Sequence, residues 1–102
     1  MTIKEFLGVV ENRIANGDWR ARFFGQKVEV QFKPRALWVS PVEAMCREKT
    51  GYYPWDPEIA AQSLGIPARH IDNLVAAIYG HGGEPSLRRR LLKACGLEEA
   101  KP

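Results

Sequence analysis

The sequence predicts a mostly helical α+β fold of about five helices, with a small antiparallel β-hairpin or three-stranded sheet near residues 20–39. Three observations carry that expectation. Apolar residues recur at three- and four-residue spacing in separate stretches, the period of an amphipathic helix. Between Lys27 and Phe32 apolar and polar residues alternate strictly, the period of a half-buried strand. Capping residues, prolines and glycines fall at the boundaries between these stretches. The chain of 102 residues, 45% hydrophobic and 26% charged, has the length and composition of one globular domain with a single core. That domain is expected over residues 1–97, with 98–102 as a frayed tail.

The first helix opens on Thr2, with Glu5 three residues on, the signature of a capping box. Ile3, Phe6, Leu7, Val10 and Ile14 then share one face, and Asn16-Gly17 stops it. The alternating run Lys27 to Phe32 follows, with Arg20-Ala21-Arg22-Phe23-Phe24 as antiparallel partner through a turn at Gly25-Gln26. Pro34 ends the run, and Leu37-Trp38-Val39 supplies a third short strand. Ser40-Pro41-Val42-Glu43 reads as a second capping box, with proline at the first helical position, where its missing N–H costs nothing. That helix closes at Thr50-Gly51. A third runs from Asp56-Pro57 to Leu64-Gly65. A fourth runs from Pro67 to Tyr79, with Ile71, Leu74, Val75 and Ile78 inward. Gly80-His81-Gly82-Gly83 is a linker. The last helix starts at Pro85-Ser86, turns Leu87, Leu91, Ala94 and Cys95 to the core, and ends at Gly96.

Composition narrows the function classes. The net charge is only +3, from 15 basic and 12 acidic residues. Residues 1–51 hold nine basic and six acidic groups and the second half holds six of each, so the excess lies outside the helix pair at 57–79. No apolar stretch approaches a membrane span and no charged-then-apolar leader opens the chain, so a cytoplasmic, non-membrane protein is expected. Cys46 and Cys95 make neither a disulfide framework nor a metal-ligand pair, and both are expected as small buried residues. His70 and His81 are the only histidines: His70 is expected as a helix flank residue beside Ile71 rather than a base, and His81 has no acid or nucleophile at motif spacing. Gly80-His81-Gly82-Gly83 lacks the lysine of a phosphate loop. No catalytic residue, metal or cofactor is expected.

The stretch with most functional content is Ala60 to Leu74. Ala61 is small where two helices would cross, Gly65 tolerates positive φ, and Leu64, Ile66, Ile71 and Leu74 surround it with apolar groups. Residues 56–79 thereby resemble helix-turn-helix DNA-binding domains, which place the second helix in the major groove. That resemblance implies outward positions at Ala68, Arg69, Asp72, Asn73, Ala76 and Ala77, with Arg69 reading a guanine edge and Asn73 an adenine edge. Asp72 would repel phosphate, and Pro67 stands where a capping serine or threonine is common. The plainer alternative is a helix pair that only builds the core.

Three further groupings matter. Trp19, Arg20, Arg22, Phe23, Phe24, Lys27, Phe32, Lys33, Arg35 and Trp38 mix aromatic and basic residues, which suits single-stranded nucleic acid or a half-buried hairpin. Arg88, Arg89, Arg90 and Lys93 give the last helix a cationic side for phosphates. Tyr52, Tyr53 and Trp55 form an aromatic loop that is either a partner anchor or a plug over the next helix. Pro41-Val42, Lys49-Thr50-Gly51, Ala60-Ala61, Leu64-Gly65-Ile66 and the run Leu87 to Leu92 with Ala94 to Leu97 resemble short uncharacterised proteins of bacterial and phage genomes. That resemblance implies a small accessory or regulatory protein. Two functions are therefore expected: a non-enzymatic binding module for DNA or RNA through Arg69, Asn73, Arg88, Arg89, Arg90 and Lys93, or a protein-interaction adaptor through Tyr52, Tyr53 and Trp55.

Overall fold

A computed structural model describes residues 1–22, 27–32, 35–79 and 86–97, without the side chains of Gln31 and Phe32. The expected turn at Gly25-Gln26, Phe23, Phe24, Lys33, Pro34, the linker with His81, Pro85 and the tail 98–102 lie outside the described residues. Helix α1 (Ile3–Ala15) begins with the full capping box. The Thr2 hydroxyl accepts the Glu5 N–H at 3.0 Å, and the Glu5 carboxylate accepts the Thr2 N–H at 3.1 Å. Ile3, Phe6, Leu7 and Val10 are buried, and Ile14 lies at the edge of the core. Past the helix, the Arg13 carbonyl accepts the N–H groups of Asp18 and Trp19. That turn carries the Trp19 ring into the core, 5% exposed.

Strands β1 (Ala21–Arg22), β2 (Lys27–Phe32) and β3 (Arg35–Val39) form an antiparallel sheet in sequential order. The third strand is longer than expected because its pairing extends to Arg35, opposite Phe32. Val28 pairs with Val39 and Val30 with Leu37, so the inner face is aliphatic and packs on the helices. Helix α2 (Pro41–Thr50) follows directly. Its first six residues, Pro41 to Cys46, are all buried, because it runs between β2 and the next helix, α3 (Pro57–Ser63). Ser40 caps it through its hydroxyl, but the second capping box departs from expectation: the Glu43 carboxylate accepts a hydrogen bond from the Ser40 hydroxyl at 2.7 Å.

Helix α4 (Ala68–Tyr79) packs against α3 and against α5 (Leu87–Ala94), and α5 packs in turn on α1. The α3–α4 junction explains Gly65. Its N–H reaches the Gln62 carbonyl and the Ile66 N–H reaches the Ala61 carbonyl, a Schellman arrangement with Gly65 at φ 74° and Ile66 buried beneath it. In α5 the buried residues are Leu87, Leu91 and Leu92, whereas Ala94 is exposed and Cys95 half-buried. The apolar stripe thus keeps Leu87 and Leu91 as expected and takes in Leu92 in place of Ala94. Both thiols are free: Cys46 is buried, and partial burial raises the Cys95 thiol above its ordinary range. Among the described residues, no helix is long and apolar enough to cross a membrane.

Candidate functional site

The aromatic loop between α2 and α3 is held at both ends. At its start the Thr50 hydroxyl donates to the Cys46 carbonyl at 2.8 Å and accepts the Tyr52 N–H at 3.2 Å. At its end the Asp56 carboxylate caps α3 by accepting the Glu58 and Ile59 N–H groups. Between these anchors the side chains alternate in direction. Tyr52 is 65% exposed, Tyr53 is 8% exposed and Trp55 is 67% exposed. The expected choice between plug and anchor is therefore divided between residues: Tyr53 packs inward and Trp55 stands outward. Trp55 does so on a left-handed backbone, φ 56°, where a bulky residue is strained. Its ring meets the Tyr53 ring edge-on at a centroid distance of 4.4 Å.

Beneath the loop lies a carboxylate that sequence inspection assigned only to capping. Glu43 is 5% exposed and accepts hydrogen bonds from the Ser40 hydroxyl and from the Tyr53 phenol. Burial raises the Tyr53 phenol well above its ordinary range, and the Glu43 charge raises it further. Tyr79, at the end of α4, is half-exposed and its phenol is raised by burial first and then by Glu43 and Asp56. The Lys27 ammonium sits 5.4 Å from the centre of the Tyr79 ring, a weak cation–π contact. Tyr53, Tyr79, Glu43 and Asp56 thus come together from α2, the loop, the α3 cap and α4. Only the sequence-local part, Tyr52 to Trp55, was legible beforehand.

The expected nucleic-acid residues are more dispersed. The outward face of α4 consists of Ala68, Arg69, Asp72, Ala76 and Tyr79. Asn73 is half-buried and Ala77 is 5% exposed, so both depart from the expected recognition face. The reason is that α5 packs on α4 as well as α3, widening its buried stripe. On α5, Arg88 forms a bidentate pair with Glu11 of α1, both contacts at 2.7 Å. Arg89, Arg90 and Lys93 each have an interaction partner within the chain as well. On the sheet, the Arg22 guanidinium stacks 3.9 Å from the Trp38 ring centre, and Arg20 pairs with Glu29 at 3.6 Å. Trp19, grouped with the aromatic–basic residues of this stretch, is in the core.

A cleft of about 520 Å³ lies between the end of α1, the sheet and α2, with Trp19, Val30 and Ala44 as its apolar lining and Asp18, Arg20, Glu29, Arg47 and Glu48 around them. Arg20 is engaged by Glu29, and Glu48 by Arg13 at 3.1 Å. Among the described residues no three histidine, cysteine or acidic side chains converge as a metal site would require. In comparisons with known proteins, no family model matches the chain, and no curated protein or solved structure matches it.

Proposed function

We propose that this protein is a non-enzymatic binding module that engages a partner protein through the aromatic surface of Tyr52, Trp55 and Tyr79. The observation that carries this is Trp55: a large ring held two-thirds exposed on a strained backbone and braced by a buried tyrosine. Folding alone gives no gain from such strain, which costs of order 1–3 kcal/mol and concentrates at sites of recognition. Tryptophan and tyrosine dominate interface hot spots because they bury large area with few rotatable bonds. The bracing from Tyr53 and Glu43 holds the loop in its bound form before the partner arrives, which lowers the ordering cost of association.

The rival assignment, a nucleic-acid binder, retains the exposed Arg69 but draws little support from α5, where Arg88 already grips Glu11. One pair of measurements separates the two. Peptide-display selection against the wild type, counter-selected with Trp55→Ala, should enrich a consensus whose affinity for the variant drops by about 2 kcal/mol, roughly thirtyfold. Mobility-shift titrations with duplex, single-stranded DNA and RNA at two salt concentrations should show no salt-dependent complex. A complex that weakens steeply with salt and with Arg69→Ala, but not with Trp55→Ala, reverses the assignment.

A further inference from the structure

The sheet has an open side. Strand β3 lies outermost, with β2 on one flank and no backbone partner on the other among the described residues. The register fixes which backbone groups face outward. The Glu29 N–H donates to the Arg20 carbonyl, so Glu29 turns its backbone toward β1. Trp38, its partner in β3, therefore turns its N–H and C=O away from β2. The pairing runs unbroken from Val28 to Phe32, so Ala36, two residues before Trp38, faces the same way. Ala36 and Trp38 thus offer alternating donors and acceptors along the edge. β3 carries no proline and no bulge, and its one charge, Arg35, stands at its end, so nothing within the strand blocks a further one. The opposite edge, β1, is only two residues long. On the outer face the Arg22 guanidinium holds the Trp38 ring at 3.9 Å. On the inner face Leu37 is half-buried at the margin of the core.

We infer that β3 is a self-association edge, which pairs antiparallel with β3 of a second copy about a two-fold axis at Leu37. The choice of occupant follows from the strand's own symmetry. Centred on Leu37, the register sets Ala36 against Trp38 of the second copy, and Trp38 against its Ala36. It is the one antiparallel register that pairs both outward-facing residues within β3. Each such pair exchanges two N–H···O bonds, so the two pairs give four. A large residue stands opposite a small one each time, and the two Trp38 rings become diagonal neighbours on the outer face. Leu37 meets Leu37 of the second copy and carries the aliphatic row of Val30 and Leu37 across the axis. Arg35 falls opposite Val39 of the second copy, so no like charges meet directly. The two Arg35 side chains start about 14 Å apart, beyond the screening length at physiological salt. A two-fold, self-complementary contact of this kind closes on itself as a dimer. It uses different residues from the aromatic surface, so either can fail without the other.

Sedimentation equilibrium and ¹⁵N-detected amide exchange of the full chain, from roughly 10 μM to 1 mM, test the pairing. The mass should double with concentration. The Ala36 and Trp38 amides should gain protection in step, while the Leu37 amide, already in the β2 ladder, stays unchanged. Ala36→Pro removes an N–H that faces away from β2, so the ladder within the monomer is kept. Two-fold symmetry doubles the loss, and association should weaken about tenfold or more. Leu37→Cys in a Cys95→Ser background gives a second reading that does not depend on that proline. Directly opposed, non-hydrogen-bonded residues bring their Cα atoms about 4.5 Å apart, within disulfide range. Oxidation should therefore yield a covalent dimer from Leu37→Cys and none from Arg35→Cys in the same background. Trp55→Ala should leave association unchanged. A chain still monomeric at about 1 mM overturns the inference. So does a dimer that persists at wild-type affinity in folded Ala36→Pro, or that leaves the Ala36 and Trp38 amides unprotected. Loss of the dimer in Trp55→Ala would overturn it too, by moving the contact to the aromatic surface.

Discussion

Tyr53 and Trp55 stand two positions apart and have opposite fates, which local sequence could not assign. Both are aromatic, and Pro54 lies between them. Tyr53 turns inward because the Glu43 carboxylate beneath the loop accepts its phenolic hydrogen, a partner available only once α2 is packed. Trp55 is left outside, with its backbone at φ 56°. Replacing Tyr53 by phenylalanine keeps the ring and removes the donor, leaving a buried carboxylate with one partner fewer. Such a loss costs about 1–3 kcal/mol, readable as a lowered midpoint in urea unfolding. Gly65→Val should destabilise by a similar amount, roughly 1–3 kcal/mol, because φ 74° strains a β-branched residue. An added Cβ there first meets the Met1 nitrogen at 3.4 Å, so the cost is conformational more than steric. An unchanged melting temperature in Gly65→Val would remove the turn argument.

Among the elements, α1, α2 and the strand pairing were legible from periodicity and caps, and the helix ends agree with their stop signals. The capping box at Thr2, the αL glycines and the alternation of β2 are each set within five or six residues, so neighbouring elements are not needed to read them. The outward faces of α4 and α5 were misread at Asn73, Ala77 and Ala94 for the opposite reason. A helix that packs on two neighbours buries a wider stripe than its own period shows, which takes in Asn73 and Ala77, whereas Ala94, at the end of α5, stays exposed; neighbours' positions are not encoded locally. The Arg88–Glu11 bidentate pair belongs to this scale too, since it fastens α5 to α1 across 77 residues. With the arginine 30% and the glutamate 48% exposed, solvent screens it, so Arg88→Ala should cost roughly 0.5–1 kcal/mol. The difference between wild type and variant should shrink in high salt.

For the whole molecule, the Tyr53 phenol, raised first by its burial and then by the Glu43 charge, makes stability depend on alkaline pH. The folded phenol titrates above its ordinary value of 10.0. The native state therefore keeps a proton that the unfolded chain releases. The contribution is complete below that ordinary value and is lost progressively as pH rises above it. Thermal melts across this alkaline range should show a steeper fall for wild type than for Tyr53→Phe, with Tyr79 adding in the same direction. Equal slopes would mean that neither burial nor Glu43 holds the Tyr53 phenol above its ordinary range in solution. The sequence by itself determined a helical α+β domain, its caps, its glycine turns and an aromatic loop, because these follow from residue type and spacing along a few turns. Tertiary structure alone decided that Arg88 of α5 meets Glu11 of α1, that a carboxylate lies under the aromatic loop, and that Lys4 and Arg69, 65 positions apart, line one cavity. Charge and burial act through space, and distance in space is set only when the elements pack.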